Sequence, residues 1–170
     1  MSSIVKTYCK DVYLRELDIY KLASENGIAP TIINYEQIQH TSKYRLITEK
    51  YTSTLLGCTD KKLIMSLKDK AQKCIKDLHG IGFFHFDISE TNIVIDEVKK
   101  DVKLIDFELS RHIHSIKQDE LSHIFDDYAV GNQYKASCEH DMNGTLQMLQ
   151  ECEIEEIGYL FDIYSDDNDY

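Results

Sequence analysis

Positive charge is scarce in this chain: 19 Lys and Arg stand against 30 Asp and Glu, a net charge of −11. Binding to nucleic acid or to an anionic membrane rests on clustered Lys and Arg that neutralise phosphates, so neither is expected as a partner. A basic protein partner suits the balance better. Paired cysteines are missing as well. Cys9, Cys58, Cys74, Cys138 and Cys152 are odd in number and scattered, and no C-x-x-C occurs. That argues against a zinc knuckle and for reduced thiols in an intracellular setting, cytoplasmic or nuclear. No run approaches the ~18 apolar residues of a membrane span, and the opening MSSIVKTYCK has no apolar signal region. There is no internal repeat, no Gly/Ser linker and no G-x-G-x-x-G. What is left, 170 residues of which 42% are hydrophobic, is one domain able to bury a core, or one domain with a tail.

The chain divides into short β-rich runs and two helical patterns. SIVKTY, residues 3–8, reads as a strand, and Asp11 can cap a helix that runs to Ser24 with Leu14, Leu17, Ile19, Tyr20 and Leu22 as its apolar positions and Glu16 between them. Asn26-Gly27 stops it, and Pro30 blocks its continuation. TIINYEQIQ and YRLITEKY, residues 31–39 and 44–51, form two strands about a polar turn. Asp60 caps the longest helical pattern, 61–79, in which Leu63, Ile64, Leu67, Ala71, Cys74, Ile75 and Leu78 recur at three and four spacing. NIVID and VKLI, 92–96 and 102–105, then make a hairpin about EVKKD. Periodicity fades from Ser110 to Ala136, and residues 141–151 can form a helix. Residues 151–170 hold eight acidic residues and no Lys, Arg or His. Their core, EIEEIGYLFDIY, is apolar enough for a helix, and the last six, SDDNDY, read as disordered. The fold class is α+β, with a small antiparallel sheet followed by a helical half.

Three polar side chains stand out among the apolar runs: Asp87, Asn92 five residues on, and Asp106 nineteen residues after Asp87. Each alone is an ordinary turn residue or cap. Together they are better explained by chemistry. Asn92 begins one hairpin strand and Asp106 ends the other, and paired strands lie ~5 Å apart. Two carboxylates and an amide oxygen that converge in this way suit Mg²⁺ beside substrate phosphates, and one carboxylate can accept a proton from an attacking hydroxyl.

At these residues the chain resembles the protein-kinase-like phosphotransferases. H-x-D-x-x-x-x-N, in His85 to Asn92, followed by a hydrophobic strand and Asp106-Phe107, is similar to that family's catalytic core. The resemblance implies Asp87 as catalytic base, Asn92 and Asp106 as Mg²⁺ ligands, and His85 packed beneath the loop. It further implies Glu16 on a regulatory helix, Lys6 as its partner and as a phosphate ligand, and the hinge from Glu49 to Tyr51 as the backbone that meets the adenine of ATP. Asp141 resembles the buried aspartate that ties a later helix to the catalytic loop. The expected domain is 1–150, a reduced small lobe over 1–51 and a truncated, mainly helical large lobe over 52–150, with 151–170 as an acidic tail.

The departures are also informative. Only five residues precede Lys6, so the sequence starts at what resembles the third strand of the family's small lobe, without its glycine-rich loop. Slow turnover, or a partner subunit that covers the nucleotide, is the expectation. Glu108 stands where a glycine is usual after Asp-Phe, and Ser89 where serine/threonine kinases carry Lys. HFDISETNIVID is similar to the loop of RIO-type kinases, IDFELSR to haspin-like ones, and IDFE to choline and aminoglycoside phosphotransferases. In size the chain resembles trimmed kinases of large DNA viruses, which would place it in a host cell or virion. Three functions are therefore expected of such a chain: an atypical kinase acting on Ser or Thr of a protein substrate, a pseudokinase that binds another kinase or its substrate, or a small-molecule phosphotransferase. His112, His114 and His123 with Asp119, Asp126 and Asp127 fit no defined metal spacing and read as a solvated segment.

Overall fold

The computed structural model describes residues 3–117, 120, 123–135 and 142–165, apart from the side chains of 8–15 and 135. The first strand, β1 (Ser3–Cys9), leads directly into α1 (Lys10–Glu25). The helix stops where Gly27 adopts φ +69°, a conformation that costs glycine nothing, and Asn26 donates its side-chain amide to Leu22 O. Two strands follow, β2 (Ile32–Gln37) and β3 (Lys43–Glu49). They pair antiparallel, and β1 pairs with the other edge of β3 with Lys6 opposite Leu46, giving the order β1-β3-β2. The amphipathic face of α1 lies on this sheet and buries Leu17, Ile19, Tyr20, Ala23 and also Glu16.

A two-residue strand, β4 (Ser53–Thr54), starts the second half. Asp60 then caps α2 (Lys61–Gly80) by accepting from the Leu63 amide at 3.0 Å. All seven apolar positions expected on this helix are buried. The chain turns at Gly82, φ +89°, into β5 (Phe83–Phe84), and the loop of residues 85–92 follows. The hairpin of β6 (Ile93–Asp96) and β7 (Asp101–Leu104) pairs Ile93 with Leu104 and Asp96 with Asp101, and β4 adds to its outer edge. β8 (Arg111–His112) returns to pair with β5. The stretch expected to be irregular also holds 3-10 turns at Ile113–Ser115 and Phe125–Asp127 and the short α3 (Gly131–Lys135). The fold is thus α+β, a small antiparallel sheet with one helix and then a mainly helical half.

The last helix, α4 (Met142–Asp162), joins into one element the two helical stretches expected at 141–151 and in EIEEIGYLFDIY. A boundary at residue 150 falls inside it. Cys152, Glu153, Glu156, Ile157, Leu160 and Phe161 are all buried, so residues 151–162 are a packed helix rather than a solvated tail. The physical reason is the spacing: Ile157, Leu160 and Phe161 pack into the core that α2 shares, while Leu149 and Cys152 pack with Phe84, Phe125 and Tyr128, and each fully buried large side chain is worth ~1.5–3 kcal/mol. Lys68 on α2 pairs with Asp162 at 2.6 Å, and Gln72 donates to Ile154 O. Residues 166–170, expected to be disordered, and Asp141 lie outside the described residues. Among the described residues no helix is long and apolar enough to cross a membrane.

Candidate active site

Pairing within the small sheet turns Lys6 inward, beneath α1. Its ammonium lies 3.4 Å from Glu16 Oε1 and 2.5 Å from Asp106 Oδ1. Glu16 is almost wholly buried, whereas Lys6 and Asp106 are 39% and 34% exposed, so the cluster faces a cleft. That cleft is a cavity of ≈ 370 Å³ with apolar walls from Ile4, Leu46, Val94 and Ile105 and polar groups from Thr48, Glu49, Asn92 and Asp106. Tyr51 also lines it; its hydroxyl donates to Asp101 at 3.0 Å. Glu49 is held by Thr31 and by Lys99, whose ammonium is 3.2 Å away, and these keep its carboxyl below the usual range.

Across the cleft the hairpin carries the other predicted residues. The Ile105 amide donates to Asn92 O at 2.9 Å, which fixes the start of β6 beside the end of β7. Asn92 Nδ2 donates to Asp87 O at 2.9 Å and to Asp87 Oδ2 at 2.7 Å. Asn92 and Asp106 thus line the same cleft, Asp87 is bonded to Asn92, and Lys6 and Glu16 join Asp106. Sequence reasoning treated Glu108 only as a replaced glycine. Its carboxylate comes close to those of Glu16 and Asp106, with ligand atoms all within 4.8 Å of one another. This hard-oxygen set is of the kind that suits a divalent cation.

Two residues here hold left-handed backbone without being glycine: Phe86 at φ +60° and Asp106 at φ +66°. Such conformations cost ~1–3 kcal/mol and persist where surrounding contacts enforce them. Behind Asp106, Phe107 is fully buried between Tyr20 and His85, at ring-centroid distances of 5.5 and 5.2 Å. His85 Nε2 bonds Ile105 O at 3.1 Å, and burial holds its imidazole below its usual pKa in spite of Glu153 nearby. Behind Phe86 the contact is Glu153. This fully buried carboxylate accepts the His85 amide at 3.1 Å, the Phe86 amide at 2.9 Å and the Tyr128 hydroxyl at 2.6 Å, and it bonds His79 Nε2 at 2.7 Å. Successive backbone amides around a left-handed residue form a concave anion nest, and Glu153 fills it.

Among the described residues Glu153 ties α4 to the loop of residues 85–92; Asp141, for which the resemblance implied such a tie, lies outside them. A signal for the Glu153 tie was present. Glu153 and Glu156 fall on the apolar stripe of α4, and an acid on a buried stripe has to be satisfied by donors.

A small antiparallel sheet with one helix, joined through residues 49–52 to a helical half whose hairpin faces the cleft, is the protein-kinase-like fold. Among solved structures, the chain is similar to the kinase PK-1 of Cydia pomonella granulovirus, with a TM-score of 0.53 at 19% identity over 65% of this chain. The match spans 43% of that kinase, so the likeness speaks for the fold and not for everything the longer protein does. No family model matches the chain, and no curated protein sequence matches it.

Proposed function

We propose that this chain is an atypical kinase that transfers the γ-phosphoryl group of ATP to a Ser or Thr hydroxyl of a protein substrate with the help of Mg²⁺. One observation supports this above the others: Lys6, Glu16 and Asp106, spread over 100 residues, converge on a cleft whose other side carries Asn92 bonded to Asp87. In this reading Lys6 offers its ammonium to the phosphates, oriented by Glu16. The Glu49 carbonyl and Tyr51 amide meet the base. Asp87, steered by the Asn92 amide, accepts the proton of the attacking hydroxyl. Asp106, the Asn92 side-chain oxygen and Glu108 are oxygen donors that fit Mg²⁺, which when bound supplies charge neutralisation at the phosphates. The net charge of −11 favours a basic substrate.

Transfer of labelled phosphate from Mg²⁺-ATP to a Lys-rich protein tests this. Wild type should transfer and Asp106→Ala should not. Asp87→Asn should lose transfer yet keep the rise in melting temperature that a nucleotide bound to the native state produces. Absence of both transfer and stabilisation in the wild type would count against the reading.

One observation favours a second reading, a catalytically weak pseudokinase that binds another kinase or its substrate. Lys6 and Asp106 are each about a third exposed, and phosphoryl transfer needs water excluded from such groups. A partner subunit laid over β1 would supply that cover. A stable complex with another kinase, without transfer in either state, would favour the second reading.

A further inference from the structure

We infer that Tyr164 is a positioning residue for the catalytic loop and that it acts through Glu90, as a second tether from the end of α4. The kinetic part of this inference rests on the proposed phosphotransfer; the structural part does not.

The Asp87–Asn92 loop is gripped at its entry by Glu153, through the His85 and Phe86 amides. Past that point residues 87–90 are half-buried and Thr91 is exposed, before Asn92 is buried again at the start of β6. The Asn92 amide bonds Ser89 O at 3.0 Å, and the Ser89 and Thr91 hydroxyls are 3.0 Å apart, but these bonds stay within the loop. Glu90 ties it to the rest of the protein. Its carbonyl accepts from the Leu56 amide at 3.2 Å, and its carboxylate accepts the Tyr164 hydroxyl at 2.5 Å.

Tyr164 can serve as a fixed post. It sits two residues beyond α4, its amide bonded to Phe161 O, and its ring packs against the main core. Burial, reinforced by the Glu90 carboxylate, pushes its phenol up to about 12, so the hydroxyl keeps its proton and donates. The eleven residues from Glu153 to Tyr164 span ~16 Å at 1.5 Å per helical residue. One helix thus holds the loop at two separated points. The loop is held at its start by Glu153 and at its end by the Ile105 amide on Asn92 O, with Ile88 packed against the core; Glu90 adds a side-chain anchor between them. Hydrogen bonds to a charged acceptor are the strong ones among neutral donors, which suits this task.

The experiment compares Tyr164→Phe, Glu90→Gln and Glu90→Ala with wild type by amide hydrogen exchange over residues 86–92 and by steady-state transfer from Mg²⁺-ATP. Tyr164→Phe keeps the ring and removes only the hydroxyl. It should raise exchange at 88–92 about tenfold, the factor set by roughly one hydrogen bond to a charged group, and leave β6 unchanged. Turnover should fall by a similar factor while KM for ATP stays within about twofold, because the cleft keeps its lining. Glu90→Gln still accepts from the phenol and should stay close to wild type, whereas Glu90→Ala should match Tyr164→Phe. Unchanged exchange in Tyr164→Phe overturns the tether. So does a loss in Tyr164→Phe that Glu90→Ala does not share. If wild type transfers no phosphate, the proposed function fails while the exchange comparison still decides the tether.

Discussion

Replacement of Glu153 by Ala is the sharpest test of how this site is held. The carboxylate has no exposed surface and four donors: His79 Nε2, the His85 and Phe86 amides, and the Tyr128 hydroxyl. Without it, two backbone amides and a phenol face a cavity. Each stranded buried donor costs ~1–3 kcal/mol, and water entering the space returns part of that. The net loss expected is ~3–5 kcal/mol, typical of breaking a buried charged network. A domain of this size has ~5–15 kcal/mol in all, and ~2–4 °C of melting temperature goes with each kcal/mol, so a drop of roughly 10 °C is expected. Glu151, one turn fraction away on the exposed side of α4, is the control. Glu151→Ala should stay within ~0.5 kcal/mol of wild type. Glu153→Gln, which keeps one acceptor oxygen, should fall between the two. Urea denaturation followed by circular dichroism gives all three values at once. If Glu153→Ala and Glu151→Ala unfold at the same urea concentration, the nest at His85 and Phe86 does not depend on this residue, and the account of the strained Phe86 backbone fails with it.

Acid should weaken the same network. Burial raises the Glu153 pKa, but His79, the Phe86 amide and Tyr128 outweigh it, and the carboxyl lies below its usual value. A lowered folded pKa gives stability that is complete above the unfolded value of ~4.3 and is lost as pH falls through the folded value. The stability gap between wild type and Glu153→Gln should therefore narrow between pH 5 and pH 3 when urea midpoints are compared; a gap constant to pH 3 would contradict the assignment. Gly131→Ala should destabilise through a different cause. An added Cβ would lie 1.7 Å from the carbonyl oxygen of Phe125, which is fully buried, so α3 has to move, at a cost of ~3 kcal/mol by thermal melt; a neutral result would mean that this segment yields easily.

Local rules made much of the fold legible. β1, α1, the hairpins and α2 fall where alternation, Asp60 and Asn26-Gly27 put them, because their patterns report local structure. Asp87, Asn92 and Asp106 stood out by their spacing and Lys6 and Glu16 through the resemblance; Lys6, Glu16, Asn92 and Asp106 line one cleft, and Asp87 is bonded to Asn92. The role of α4 was not legible. Its acids were counted as net charge, and counting cannot tell exposed Glu151 from buried Glu153, which differ only in their angle around the helix. Strands β4, β5 and β8 have two residues each and no pattern of their own; they exist because β6 and the loop edge offer partners. The nearness of Glu108 to Glu16 and Asp106 depends on the left-handed turn at Asp106, which no propensity predicts for aspartate in a strand end.

The grip of Glu153 on the loop also fixes an order in time. The carboxylate and the amides it binds are 67 and 68 residues apart along the chain. At ~5–20 residues per second of synthesis, the loop leaves the ribosome some 3–14 seconds before the side chain that shapes it. Until then the His85 and Phe86 amides lack the carboxylate that binds them in the folded protein. The sheet, α1 and α2 can assemble from residues already made, but the loop at His85 and Phe86 gains its carboxylate partner only once α4 has been made.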